Sequence, residues 1–350
     1  MSNLLIITQK VDINDDLLGF FGDWVKEFAK NFERVFVVTI AKGAYNLPDN
    51  VEVLSLGKET GVSKVVQAVK FFGFLFKYVP RCDGIFAHMS PIFAVTAWPV
   101  AALFRKKIVL WYLHRSVTWR LKLAEKLVYK IATASRESVM LKSHKIIEVG
   151  HGINAELFKT ERDWYKDSTN IISVSRISPI KGLDTLIRAI KSVSNSNRNI
   201  KLQIVGKPIM RRDNDYFLQL KNLVSNLDLS RFVEFKGFIP YMDIANVYRD
   251  ADISVNMTPK GGIDKAVLES MASGLLVLTS NEAFVKYLGE FASKLIFRHS
   301  DSADLTDKLK HLISLTPEDK NNISTFLVAS VKEYHRLDNT VKKISGLFEK

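Results

Sequence analysis

A chain of 350 residues is long for one domain and comfortable for two. Hydrophobic residues make up 47% and charged residues 25%, which excludes extended disorder, and the single cysteine, Cys82, excludes an internal disulfide framework and any cysteine-rich zinc site. The net charge of +13 calls for an anionic partner: nucleic acid, a lipid surface or a phosphorylated small molecule.

The apolar run Leu4–Ile7 has no basic leader and no small-residue cleavage site, so it reads as a first strand, over Leu4–Gln9, and not as a signal peptide. Phe21, Trp24, Val25 and Phe28 follow at the i, i+3, i+4, i+7 spacing of an amphipathic helix. Further strands are expected at Arg34–Ile40, Val51–Leu56, Gly84–His88, Lys107–Leu113, Ile131–Ser135 and Lys145–Val149, with helical stretches between most of them. The aromatic Phe71, Phe72, Phe74 and Phe76 read as core side chains. The longest apolar stretch, Ile92–Phe104, contains Pro99 and falls short of the ~20 residues that span a bilayer, so the expected location is cytoplasmic.

The polar segment Gly150–Thr169 has weak periodicity and reads as a linker. The alternation then restarts with strands expected at Ile171–Ser175, Leu202–Val205, Phe232–Lys236, Ile253–Met257, Leu275–Thr279 and Lys294–Phe297. Near-continuous apolar strands separated by helices indicate parallel sheet covered on both faces. The expected fold class is α/β, with two consecutive doubly wound domains over residues 1–155 and 168–337. Ligands of such sheets bind beyond the carboxyl ends of the strands.

The most informative segment is IISVSRISPIKGLDTLIRAI at Ile171–Ile190. A strand runs into a loop bearing Arg176, and Lys181-Gly182 opens a helix, so two cations stand beside a helix N-terminus, an arrangement suited to a diphosphate. With Val205-Gly206, VEFKGFIP at Val233–Pro240 and VLESMASGLLVL at Val267–Leu278, this half resembles glycosyltransferase family 4, the retaining enzymes of GT-B fold. The first half resembles it more loosely, through WYLHR at Trp111–Arg115 and VGHGIN at Val149–Asn154.

The resemblance implies two Rossmann-like domains facing across a cleft and sugar transfer from a nucleoside-diphosphate sugar, itself a substrate, to a glycan or lipid-linked hydroxyl acceptor. It implies no metal and no other cofactor. Arg176 and Lys181 would hold the diphosphate, and Glu269 would accept hydrogen bonds from the ribose. His114, beyond a strand end, would line the sugar site. Gly19 and Gly206 would bring backbone close to the donor, and the C-terminal segment 338–350 would return to the first domain. The family often carries a second glutamate eight positions before the first; here that position is Gly261. Nearby, Asp264 reads either as a ligand of a sugar hydroxyl or as a helix N-cap, and Lys265 as a reinforcement of the phosphate site. His88 shares the strand-end placement of His114, while His151 reads as structural.

Basic residues crowd Arg105–Lys145, interleaved with Trp119, Leu121, Leu123 and Leu127, and they suit either an anionic membrane surface at the inner face of a bilayer or plain solvation. No G-x-G-x-x-G follows the first strand, which counts against a nicotinamide or flavin domain. No nucleic-acid reading motif is present, so nucleic acid is not expected as a partner. A sugar-nucleotide epimerase and a catalytically silent sugar-nucleotide binder remain as rivals.

Overall fold

The computed structural model describes residues 2–259 and 261–349. Met1, Lys260 and Lys350, which fall within stretches read above, lie outside the described residues. In the first part of the chain, β1 (Asn3–Val11), β2 (Arg34–Lys42), β3 (Val51–Ser55), β4 (Gly84–His88), β5 (Lys107–Trp111), β6 (Lys130–Thr133) and β7 (Ile146–Glu148) form one sheet in the order β3-β2-β1-β4-β5-β6-β7. Every pairing is parallel. The crossovers are α1 (Phe21–Asn31), α2 (Lys64–Tyr78), α3 (Pro91–Leu103) and α4 (Trp119–Leu127).

Successive side chains of a strand point to opposite faces, and these strands are apolar on both. Leu5, Ile7, Ile85, Ile108 and Leu110 meet α2, α3 and α4 on one side. Leu4, Ile6, Phe86 and Val109 meet α1 and the C-terminal helix on the other.

The second sheet consists of β8 (Thr169–Val174), β9 (Ile200–Val205), β10 (Val233–Gly237), β11 (Ile253–Asn256) and β12 (Leu276–Thr279), all parallel, in the order β10-β9-β8-β11-β12. Its helices are α5 (Leu183–Ser194), α6 (Arg211–Asn226), α7 (Tyr241–Arg249), α8 (Lys265–Ala272), the short α9 (Val285–Leu288) and α10 (Ala292–Leu295), α11 (Ser302–Ser314) and α12 (Pro317–Tyr334). The last helix, α13 (Leu337–Ser345), packs against α1, and its Thr340 hydroxyl donates to the Val149 carbonyl at 3.0 Å. Two compact units divide the chain: Met1–Asn154 with Pro240–Met242 and His335–Lys350, and Ala155–Ile239 with Asp243–Tyr334.

Four sequence expectations need correction. Lys294–Phe297 is not a strand: its first residues end α10, and only an isolated bridge joins Ile296 to Thr279. The strand expected to reach Leu113 ends at Trp111, which leaves His114 in the loop beyond it. The segment read as a linker belongs to the second unit from Ala155 onward. There the Arg162 guanidinium donates to the carbonyls of Tyr248, Arg249, Ala251 and Ser273, and Lys166 pairs with Asp252 at 2.8 Å. Of the four phenylalanines, Phe71 is buried and Phe74 half-buried, but Phe72 and Phe76 are exposed.

Candidate functional site

Strand order decides where a site can form. In the second sheet the connection out of β8 leads to one side, to β9 and β10, and the chain later returns on the other side with β11 and β12. The switch therefore lies between β8 and β11, where loops diverge and leave a crevice at the carboxyl ends. Arg176 follows β8, Gly206 follows β9, and Thr258 and Asp264 follow β11, all at these ends. Arg176, Lys181, Gly206, Asp264, Lys265 and Glu269 belong to the second unit, Gly19 and His114 to the first.

Lys181 bridges the switch. It closes a short 3-10 turn over Pro179–Lys181, and its Nζ donates to Thr258 Oγ1 at 2.7 Å and to Asp264 Oδ2 at 2.9 Å. Asp264 caps α8: its Oδ1 accepts from the Ala266 N–H at 3.2 Å, while Oδ2 also accepts from Asn256 Nδ2 at 3.2 Å and from the Thr258 hydroxyl at 3.1 Å. Burial raises this carboxyl, but the Lys181 ammonium and the hydrogen bonds from Lys181 and Asn256 outweigh it and hold the group at about 2. The carboxylate is thus already engaged by four donors, the N-cap among them, so its geometry is that of the N-cap reading.

One turn along α8, Lys265 and Glu269 form an i,i+4 ion pair. Glu269 is buried, and burial lifts its carboxyl above the ordinary value, Lys265 pulling it down and Asp264 adding to the lift. Lys265 is therefore directed to Glu269. Arg176 is exposed, and among the described residues it has neither an ion pair nor a hydrogen bond. Two cations and two carboxylates balance around α8, and Arg176 adds a positive charge to that balance.

Gly206 has φ +138, and a Cβ there would collide with the Ser175 carbonyl. The close approach of two backbone segments accounts for this glycine. Gly19 sits in the turn after β1, its N–H donating to the Asp15 carbonyl at 3.2 Å. His114 is exposed, 6.1 Å from the Tyr112 ring. Among the described residues, its chain neighbours aside, a Cβ at Gly261 would meet the Pro259 carbonyl oxygen at 3.5 Å.

Sequence reasoning missed Asn256 and Thr258, although both stand at or just beyond the end of β11, where the strand-end rule would have flagged them. It also missed how His88 is held. That ring is fully buried, its Nδ1 lies 3.1 Å from Thr8 Oγ1, and it stacks on Phe21 at 3.9 Å. Burial pushes its pKa down to about 3. A cavity of about 500 Å³ lies against the Pro179–Lys181 turn, lined by Pro179, Ile180, Arg188, Pro259 and His299 among others. Its walls include none of the six candidate side chains of this unit, so the site is placed by the strand ends and not by that cavity. Among the described residues, no group of three or more His, Cys, Asp or Glu side chains is arranged to hold a metal ion.

Residues 154–325 match the family described as Glycosyl transferases group 1. Through that half the chain belongs to the group 1 glycosyl transferases. It is 25% identical over 188 residues, covering 51% of this chain and 38% of the relative, to the human GDP-Man:Man(3)GlcNAc(2)-PP-Dol alpha-1,2-mannosyltransferase. It is 30% identical over 157 residues to a GDP-mannose-dependent monoacylated alpha-(1-6)-phosphatidylinositol monomannoside mannosyltransferase of Corynebacterium glutamicum, covering 43% of this chain and 39% of the relative. The matched stretch spans well under half the length of these curated relatives. Across almost the whole chain the structure is similar to Anabaena HepE in complex with UDP, with TM-score 0.77, 17% identity and 99% of each chain covered. Sucrose-phosphate synthase from Thermosynechococcus elongatus gives TM-score 0.77 at 15% identity, covering 99% of this chain and 98% of that one. These likenesses show the GT-B fold.

Proposed function

We propose that the chain transfers a sugar, with retained anomeric configuration, from a nucleoside-diphosphate sugar to a hydroxyl on a glycan or lipid-linked acceptor. The observation that carries this reading is the Lys181 ammonium at the switch point of the second sheet, with the Arg176 guanidinium, unpaired among the described residues, on the same strand-end loop. Breaking the glycosidic bond leaves a diphosphate whose charge grows as the bond stretches. Preorganised cations there lower the barrier by about 3 kcal/mol per well-placed donor. A diphosphate carries more negative charge than Arg176 alone can match, so Lys181 turns from Asp264 toward the phosphates or bridges both.

Glu269 accepts from the vicinal ribose hydroxyls, for which its two oxygens are suited. Asp264 positions Lys181, and Lys265 keeps Glu269 charged until the donor arrives. Gly206 lets backbone approach the donor. Support for the donor class comes from the relatives: the two mannosyltransferases are named for GDP-mannose, and HepE was solved with UDP-glucose. Several relatives are named for lipid-linked substrates or lipid products, which supports a lipid-linked acceptor; the inner face of a membrane is the place proposed for it.

A thermal-shift screen against UDP-, GDP- and ADP-sugars tests the reading. A ligand at one hundred times its Kd stabilises by ~2.7 kcal/mol, and Arg176→Ala and Lys181→Ala should each abolish that shift. Unchanged donor affinity in both variants would remove the site. Donor binding without hydrolysis or transfer across a panel of acceptors would select a silent binder, the rival favoured by Gly261.

A further inference from the structure

The helical layer over one face of the first sheet presents a second apolar surface, turned away from the core. On α2, Phe71, Leu75 and Tyr78 face the sheet. Val65, Val69, Phe72 and Phe76 are 74%, 68%, 39% and 54% exposed. Their i, i+4, i+7, i+11 spacing confines them to about 60° of arc along roughly 16 Å of helix. In the same layer Trp98 and Leu103 of α3 and Trp119 of α4 are also exposed. Such an area on a protein surface marks an interaction site.

Charge identifies the partner. Neither α2 nor α3 contains an acidic residue, and the one carboxylate of α4, Glu125, accepts a hydrogen bond from Ser143 at 2.7 Å. Lys64 lies to one side of the α2 stripe and Lys70 and Lys77 to the other, all exposed, and Arg105, Lys122 and Lys126 are exposed in the same layer. A second copy of the chain docked by a two-fold axis would set this cationic face against itself, with no carboxylate on these two helices to match it. Apolar side chains flanked by cations instead match the boundary between acyl chains and anionic headgroups, with lysine stems reaching up to the phosphates. Among the described residues no helix is long and apolar enough to cross a membrane.

We propose that the α2–α3–α4 face docks on an anionic lipid bilayer, with Val65, Val69, Phe72 and Phe76 entering the interface and the flanking cations holding the headgroups. This deepens the lipid-linked part of the proposed function by giving it a surface, and it is tested without a sugar nucleotide, so the two readings fail separately. The full chain is sedimented with vesicles of phosphatidylcholine, with and without phosphatidylglycerol. Binding to the anionic vesicles should be about tenfold or more tighter and should fall as salt rises. Brominated lipid should quench the exposed Trp98 and Trp119.

Val69→Asp/Phe76→Asp should lose at least about tenfold in binding while keeping the wild-type donor-induced thermal shift. Lys70→Glu/Lys77→Glu leaves the apolar face untouched and should lose binding most at low salt, which keeps the proposal open to refutation if the first variant folds poorly. Equal binding by wild type and both variants, no wild-type binding to anionic vesicles, or a dimer that Val69→Asp/Phe76→Asp converts to monomer would each overturn it.

Discussion

Where the first sheet changes direction, between β1 and β4, Thr8 and His88 meet in a buried contact under the Phe21 ring. At the corresponding place in the second sheet, between β8 and β11, a lysine reaches across to a threonine and an aspartate. The topology is the same and the materials are opposite. A crevice at a switch point is therefore an opportunity, and the side chains decide whether it is used. The first is filled by an imidazole that burial keeps neutral. The second keeps ammonium, guanidinium and carboxylates within reach of water, where they can exchange partners with an incoming anion.

The largest test of this contrast removes the charge at the second switch. Lys181→Ala should lower donor-dependent turnover by about 10²-fold or more, measured as donor hydrolysis or transfer at saturating donor. It should also destabilise the fold, because Asp264 loses the ammonium that holds its carboxyl down, a loss of about 1–3 kcal/mol by urea titration. Adding Asp264→Asn should restore much of the stability and none of the turnover. If the double variant regained turnover, Lys181 would be a structural partner of Asp264 and no more.

A smaller effect is expected at the first switch, and its sign follows from the depressed His88 pKa. The unfolded chain binds a proton at this ring below about 6.5, whereas the folded chain resists it down to about 3. The stability His88 contributes is therefore complete above its unfolded value and is lost as pH falls toward the folded one. Between pH 7 and pH 5 the wild type should lose about 2 kcal/mol from this ring. His88→Gln should show a correspondingly flatter profile in urea titrations at the two pH values. Asp264, starting from 3.8 and held at about 2, contributes only below that interval. Parallel profiles for wild type and variant would show that the ring is protonated without cost in the folded state.

The elements at these two switches were mostly legible in the sequence because buried parallel strands are apolar runs, and Gly84–His88 was read to the residue. The exception, Lys294–Phe297, is apolar enough for a strand, but its backbone completes a helical turn and touches β12 at a single bridge. The outer surface of α2 was not legible for a different reason. Periodicity marks two apolar faces on that helix, and nothing in a single sequence says which of them the sheet covers. The places of Arg176 and Lys181 on the loop after β8 and of Glu269 on α8 were readable from local motifs. The pairing of Lys181 with Asp264 joins residues 83 apart and depends on which strand settles beside β8.

The mildest variant asks whether the second switch lacks a working part. Position 261 holds glycine where the family pattern puts a carboxylate, and among the described residues, its chain neighbours aside, a Cβ there would meet the Pro259 carbonyl at ordinary contact distance. Gly261→Glu should therefore change stability by no more than about 0.5 kcal/mol. If the Lys181 and Arg176 cations carry the chemistry, as their place at the switch argues, donor-dependent turnover should stay within about threefold of wild type. A tenfold rise would show that the departing diphosphate is only half of what this crevice must hold, and that an anion facing the sugar ring limits the rate.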